Sequence, residues 1–171
     1  MFTTRTASYL AALVATLASV ACSAPEARPV SAAAAPVECR GGIVRNDDDA
    51  ARFDGCETVV GDLQIASSDL TDLSQLGSVR RVTGKLSVTN NQKLISLAGL
   101  KGVERAGSVE IHNNPLLCAY FGLLSGLEQV DHSLELSKNR GLSQNDVRAM
   151  LERVDVRGAT VNGELGRQAS L

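Results

Sequence analysis

The stretch GDLQI at residues 61–65 recurs as GKLSV at 84–88 and as GSVEI at 107–111, so the three copies are evenly spaced along the chain. Shorter copies, LEL at 134–136 and ATV at 159–161, follow at intervals of 25. A period of this length is typical of solenoids, because each copy is too small to bury its own apolar face and must share one core with its neighbours.

Inside each copy the apolar residues alternate with polar ones, as Leu63 and Ile65 do on either side of Gln64. Alternation with a period of two predicts strands that are buried on one face and open on the other. Leucines then recur every three residues, as at Leu94, Leu97 and Leu100, which favours short 3₁₀ turns.

A polar pair follows each strand, at residues 67–68, 90–91, 113–114 and 138–139. The second member is Asn in three of these pairs. We expect the asparagine side chains to satisfy backbone groups that a turn leaves without partners.

Several stretches resemble the receptor L domain, a leucine-rich-repeat relative found in the ectodomains of epidermal-growth-factor and insulin receptors. They are Cys39-Arg40-Gly41 and the segments 56–65, 94–100 and 113–118, and the resemblance covers residues 39–142. It implies the fold more strongly than the function. Receptors of this family carry two such domains around a cysteine-rich module, which this sequence lacks, and fold does not determine function.

The predicted fold is therefore an α/β solenoid over residues 38–165. We expect a short right-handed, leucine-rich-repeat-like coil with a parallel β-sheet of about five short strands, an N-terminal disulfide cap and a C-terminal helix. Ser143 is suited to cap a helix over 144–153, with Val147, Met150, Leu151 and Val154 on one face. A final strand at 158–161 would complete the end of the core.

Residues 1–21 are predicted to be a signal peptide, with Arg5 followed by an apolar run over 9–20 that is too short for a stable membrane span. Cys22 follows Val-Ala and resembles the lipidated cysteine of bacterial lipoproteins, although Ser19 stands where that pattern has Leu. Ser23 after it resembles the signal for the outer membrane. Cleavage by ordinary signal peptidase, which would release a secreted soluble protein, is the alternative.

Residues 22–37 contain three of the four prolines and an alanine run, which indicates an extended tether in front of the domain. The C-terminal residues 166–171 show no pairing pattern and are expected to fray. Together these features predict an extracytoplasmic location on the cell envelope.

Three cysteines remain beside Cys22. Cys39 and Cys56 are the expected disulfide pair, since both precede the first repeat and disulfides are permitted outside the cytoplasm. The resemblance implies the same pairing. Cys118 is expected to stay reduced as a small buried side chain.

The sequence offers little catalytic chemistry, and we predict no enzyme activity, no cofactor and no metal. A net charge of -2 with a pI near 5.7 argues against nucleic acid, and Arg80 and Arg81 are expected on the convex turn. Glu110 and Glu135 have the spacing of a glycosidase pair but lie on an open face without a cleft. The acidic run 46–49 resembles half a calcium loop but is better interpreted as a solvated turn. Alternatively it starts the short capping helix that the resemblance implies between the first two cysteines, with Ala50, Ala51 and Phe53 inward.

The outward residues of the strands form the candidate binding face. It comprises Asp62, Gln64, Lys85, Ser87, Thr89, Ser108, Glu110, His112, Ser133 and Glu135, flanked by Ala66 and Ser137. Five strands of about five residues give only about 400 Å², half of one side of an ordinary interface of about 800 Å² per partner.

The hypothesis is an exported, lipid-anchored binding or adhesion module that takes a protein or an envelope glycan and contacts the membrane through Cys22. The alternative is a structural envelope protein without a specific ligand.

Overall fold

The computed structural model of the protein describes residues 35–119 and 122–162. The predicted signal peptide, Cys22, the tether as far as residue 34 and the tail at 166–171 lie outside the described residues. The same holds for the last three residues of the predicted solenoid, 163–165.

Seven strands of the described chain form one parallel sheet in the order β1-β2-β3-β4-β5, with β6 and β7 both pairing β5. The bounds are β1 (Glu38–Val44), β2 (Thr58–Ala66), β3 (Arg81–Thr89), β4 (Arg105–His112), β5 (Gln129–Ser137), β6 (Asp155–Val156) and β7 (Ala159–Asn162). The parallel sheet is confirmed, but about five strands was an underestimate. β1 escaped the periodicity because Gly41 and Gly42 interrupt its alternation.

The core lies on one side of the sheet. Leu63, Ile65, Leu86 and Val88 are fully buried, and their register partners on β4 and β5 are buried with them. The predicted inward alternation is therefore correct.

The leucine spacing of three corresponds to short turns on the far side of the core. Two of them are 3₁₀ helices, at Ser74–Leu76 and Ala98–Leu100. Before the first, the Asp72 carboxylate accepts a hydrogen bond from the Ser74 amide at 2.9 Å. This bond, together with one from the Ser74 side chain, holds the pKa of Asp72 below its ordinary value.

The register of the last repeat differs from the prediction by one residue. The interval of 25 would place Ala159 beside Leu134, whereas the structure pairs Ala159 with Ser133 and Thr160 with Leu134. Strand pairing is interrupted between β6 and β7 at Gly158, where an added Cβ would overlap the His132 carbonyl. This close approach sets the register of β7. The interval of 25 was taken from the small apolar residues 159 and 161 and could not include this contact.

A ladder of asparagines, Asn91, Asn114 and Asn139, runs through the corners that follow the strands. All three are fully buried. Asn114 accepts through Oδ1 from the Asn91 amide at 3.1 Å and from Asn91 Nδ2 at 3.0 Å, and its own Nδ2 donates to the Val88 carbonyl at 2.9 Å. Asn139 repeats these contacts one strand further, so the prediction about these side chains holds.

The first residue of each polar pair has a positive φ: 50° at Ser67, 59° at Asn90, 53° at Asn113 and 57° at Lys138. Asparagine tolerates this left-handed conformation better than most residues do. In each polar pair the first residue therefore turns the chain. The second, where it is asparagine, bonds the backbone of the preceding coil, whereas the Ser68 hydroxyl donates to Asn91 Oδ1.

A disulfide and a short helix cover the first edge of the core. Cys39 and Cys56 are bonded, as predicted. Helix α1 (Asp47–Ala51) starts at Asn46, whose side chain accepts from the Asp49 amide at 2.9 Å. Ala50 and Phe53 are buried, but Ala51 is exposed, contrary to expectation, since residues one apart on a helix face different directions.

Helix α2 (Gln144–Arg153) is the predicted C-terminal helix. Ser143 caps it in a capping box with Asp146. Val147, Met150 and Val154 are buried, whereas Leu151 is only half-buried at the margin of that face.

Cys118 has no disulfide partner in the described part of the chain but is only partly buried, which corrects its predicted place inside the core. Its thiol lies 3.4 Å from the Leu116 carbonyl, on a turn where Leu117 takes the buried position.

Candidate binding face

The outward side chains of β1–β5 form rows across the sheet, and we call this surface the open face. The central row is Ile43, Gln64, Ser87, Glu110 and Glu135. Because parallel strands in register stack equivalent residues about 4.8 Å apart, each repeat adds one side chain to each row. All ten predicted face residues lie on the open face.

One ion pair organises the middle of the open face. Lys85 Nζ lies 3.0 Å from Glu110 Oε2, and both side chains are partly exposed. The Lys85 backbone amide donates to Asp62 Oδ1 at 2.8 Å, so Asp62 supports the strand locally as well as contributing charge. An exposed pair of this kind contributes little stability but fixes where two long side chains lie.

Ser87 is the exception among the predicted face residues. It points outward, yet only 6 % of its surface is accessible. Its row neighbours Gln64 and Glu110 are long, and the Lys85–Glu110 pair extends past it. Alternation correctly gave the direction of Ser87 but could not show that its neighbours cover it.

Hydroxyl groups connect β4 to β5 on either side of the central row. Ser133 Oγ lies 3.2 Å from Ser108 Oγ, and Ser137 Oγ lies 2.7 Å from His112 Nδ1. A serine beside a histidine is one part of a nucleophilic site, which also needs a group that orients the imidazole. Within residues 35–119 and 122–162 no carboxylate bonds the other ring nitrogen of His112, so the pair links two strands.

Glu110 and Glu135 are register partners on β4 and β5, as their spacing predicted. Glu110 is held by Lys85, and both glutamates remain half-buried on an open surface. A glycosidase pair needs two carboxyl groups on opposite sides of an enclosed sugar bond. Two neighbours in one row of an open sheet do not provide that enclosure.

A further row precedes the predicted face at the start of the strands. We call Thr58, Arg81, Arg105 and Gln129 the arginine row. The residues that follow them, such as Val59 and Val82, are buried, so the arginine row points to the open side.

The arginine row corrects the placement of Arg81. The sequence prediction put Arg80 and Arg81 together on the convex turn, but Arg81 opens β3 and lies opposite Arg105. The recurrence of arginine before Val82 and before Ala106 was the available signal. It was hidden because the register between β3 and β4 shifts after Val82, so the two arginines do not share the spacing of the later strand positions.

Two shallow cavities border the start of β2. The larger, about 490 Å³, is lined by Arg40, Ile43, Val60, Asp62 and Gln64 together with the glycines between them. The smaller, about 300 Å³, is lined by Pro36, Thr58, Arg80, Arg81, Glu104 and Arg105.

The open face is larger than the sequence suggested. β2, β3 and β5 each have nine residues, where about five were expected. The five strands β1–β5, about 4.8 Å apart, and at most nine residues of about 3.3 Å give up to roughly 700 Å². This approaches one side of an ordinary specific interface, which is about 800 Å² per partner. The smaller area expected from the sequence is therefore corrected.

The described residues hold no group of three or more His, Cys, Asp or Glu side chains arranged to bind a metal ion. In the same part of the chain, no helix has the length and apolar character to cross a membrane.

Residues 55–102 match the family model of the receptor L domain. The match begins beside Cys56 and covers the first repeat and most of the second, which confirms the resemblance. No curated protein and no solved structure gives a significant match to the chain.

Proposed function

We propose that the protein is an exported, non-catalytic binding module whose open face takes a partner at the cell envelope. The observation that carries the proposal is that the open face is both wide and polar. A polar surface of up to roughly 700 Å² is presented by one side of a sheet whose other side is buried.

Rigidity supports the same function. We infer that the strands belong to a short right-handed solenoid, because consecutive repeats pair in parallel and in chain order. The asparagine ladder bonds each corner to the next, so the rows keep their spacing without a ligand. A preformed surface loses little conformational freedom on binding, which favours affinity.

The location follows from chemistry at the N-terminus. The disulfide between Cys39 and Cys56 fits an extracytoplasmic chain. We propose that Cys22 carries acyl chains and that the tether holds the domain away from a bacterial outer membrane.

The chemistry of the open face favours binding over catalysis. Its serines, histidine and glutamates contact one another in rows and are not gathered around an enclosed cavity. Enzyme sites need a dry, concave setting in which electrostatic effects are strong.

A charge reversal in the central row tests the proposal. Beads coated with the purified protein are mixed with envelope fractions, and the captured material is compared between Glu135→Lys and Glu152→Lys. Glu152 is an exposed residue of α2, so it matches the charge change away from the open face. We expect only Glu135→Lys to change capture, with both variants melting as the parent does. Equal capture by both variants would favour a structural envelope protein without a specific ligand.

A further inference from the structure

The arginine row contains two like charges placed directly opposite each other. Arg81 and Arg105 are register partners on β3 and β4, and both are exposed. Like charges opposite each other on neighbouring strands destabilise a sheet. An arrangement with this cost calls for a compensating anion.

The described chain does not supply that anion. Neither guanidinium group has a hydrogen bond or an ion pair within 4.0 Å to any residue in 35–119 or 122–162. Elsewhere on the open face opposite charges do meet, as Lys85 and Glu110 show at 3.0 Å. The side chains of Arg81 and Arg105 are as long as that of Lys85, yet they form no such pair within the described chain.

The surroundings favour a negatively charged group. The cavity of about 300 Å³ beside the pair is lined by three arginines and one glutamate, Glu104. The Glu104 backbone amide donates to the Arg80 carbonyl at 2.8 Å, which places this glutamate beside Arg80. Further along the sheet, the acidic side chains of Asp131 and Asp155 pair with Arg157. Two more glutamates lie nearby: the Glu57 carbonyl accepts from the Arg81 amide at 3.1 Å, and Glu38 lies opposite Thr58 in the same row. Within the described chain none of these carboxylates pairs with Arg81 or Arg105, so both guanidinium groups are open to a ligand.

We propose that Arg81 and Arg105 bind a sulfate or phosphate group carried by an anionic polysaccharide. Guanidinium groups bond such tetrahedral oxyanions through two parallel N–H donors, which lysine cannot do. This inference rests on the proposed function, since it names the partner class of the same open face.

The shape of the site decides between a polymer and a free ion. A shallow cavity buries too little of a small molecule to hold it tightly, because ligand pockets usually enclose most of the ligand. A polysaccharide presents many anionic groups, and repeated contact raises its overall affinity. Arg40 in the neighbouring cavity, also exposed and unpaired within the described chain, lies where such a polymer would continue.

The test measures binding of the full-length protein to immobilised dextran sulfate, with neutral dextran as the matched surface. We expect binding to dextran sulfate only. Arg81→Gln and Arg105→Gln should each weaken it by about tenfold, the effect of losing one charge-assisted hydrogen-bonding group. Arg148→Gln removes the same charge from the exposed side of α2 and should change binding by less than about twofold.

Two further arms identify the source of the anion. Soluble dextran sulfate should displace the protein, whereas vesicles of anionic phospholipid with the same charge concentration should not. Sodium sulfate should raise the melting temperature of the parent more than that of the double Arg81→Gln, Arg105→Gln variant at equal concentration, because its general stabilising effect is the same in both and only the parent adds binding at the site.

Equal losses from Arg81→Gln and Arg148→Gln, or equal binding to both dextrans, would overturn the inference. Displacement by vesicles as effective as by dextran sulfate would assign the site to a lipid headgroup and overturn it as well. The proposed function would survive either result if Glu135→Lys still changed envelope capture and Glu152→Lys did not. It would fail separately if capture were unchanged while dextran sulfate binding remained.

Discussion

At the scale of single residues, position on the sheet decides what a side chain does. Leu86 and Ser87 are neighbours in sequence, but Leu86 enters the core and Ser87 lies on the open face. Both are buried, although for different reasons. Leu86 is surrounded by apolar side chains, whereas Ser87 is covered by the polar stems beside it.

Truncation of these two residues should have unequal effects. Leu86→Ala should lower the free energy of unfolding by about 2 to 5 kcal/mol, because transfer energy is lost and a cavity remains. Ser87→Ala should cost less than about 1 kcal/mol, since its hydroxyl contact with Glu110 Oε2, at 3.4 Å, is long for a hydrogen bond. Urea melts measure both, and equal losses would show that the assignment of faces is wrong.

The side chains of the asparagine ladder should contribute strongly to stability, although they are polar. Asn114→Ala would leave the Val88 carbonyl and the Asn91 amide buried without partners. Each buried group left unsatisfied costs about 1 to 3 kcal/mol, so we expect a loss of roughly 2 to 5 kcal/mol in urea melts.

Gln92→Ala is the control for this prediction, because Gln92 is exposed on the same corner. It should shift the urea midpoint by little, consistent with a surface change of about 0.5 kcal/mol or less. If Asn114→Ala melts like Gln92→Ala, water must replace the side chain and the ladder contributes little stability.

At the scale of secondary-structure elements, the two ends of the sheet need different protection. β1 is an edge strand, and the disulfide joins it to the turn before β2. At the other end β6 and β7 cover different parts of β5, with an interruption at Gly158. Sheet edges that present unpaired backbone groups invite association with other chains. We therefore expect the disulfide at one edge and the short strands at the other to limit aggregation.

Reduction of the disulfide should destabilise the domain. The bond closes a segment with a sequence separation of 17. The chain-entropy model assigns about 3 kcal/mol to a loop of this size. Peptide mapping without reductant should recover Cys39 joined to Cys56, and urea melts with and without reductant should differ by about that amount.

Cys118→Ser serves as the control, because Cys118 takes no part in this disulfide. It should keep the difference between the reduced and oxidised melts. Recovery of Cys118 in a disulfide with either other cysteine would contradict the pairing.

At the scale of the whole molecule, charge is distributed unevenly although the net charge is only -2. The start of the sheet presents arginines that lack partners among the described residues, and the central row presents two glutamates. Which partner binds such a surface depends more on the local charges of the open face than on the net charge of the protein.

We predict that the mature protein is anchored through Cys22. Several acyl chains hold a protein on a membrane stably, whereas a single chain gives only marginal binding. Intact mass should show the added acyl groups on Cys22, and the protein should partition into detergent. Cys22→Ala should move to the aqueous phase, and its continued partition with membranes would contradict the anchor.

The repeat determined much of this protein from sequence alone. Its regular period required stacked parallel strands, alternation assigned Leu86 inward and Glu110 outward, and the recurring asparagines marked the corners. These features are local and repeat in register, so one copy predicts the next. The pairing of Cys39 with Cys56 followed from their position before the first repeat.

Only the tertiary structure decided the remaining features. The burial of Ser87 depends on the lengths of side chains from two other strands, and the register of β7 depends on the contact between Gly158 and the His132 carbonyl. The meeting of Arg81 and Arg105 depends on a register shift between β3 and β4. Each arises from contacts between strands that are distant in the chain, and spacing along the sequence does not specify such contacts to within a single residue.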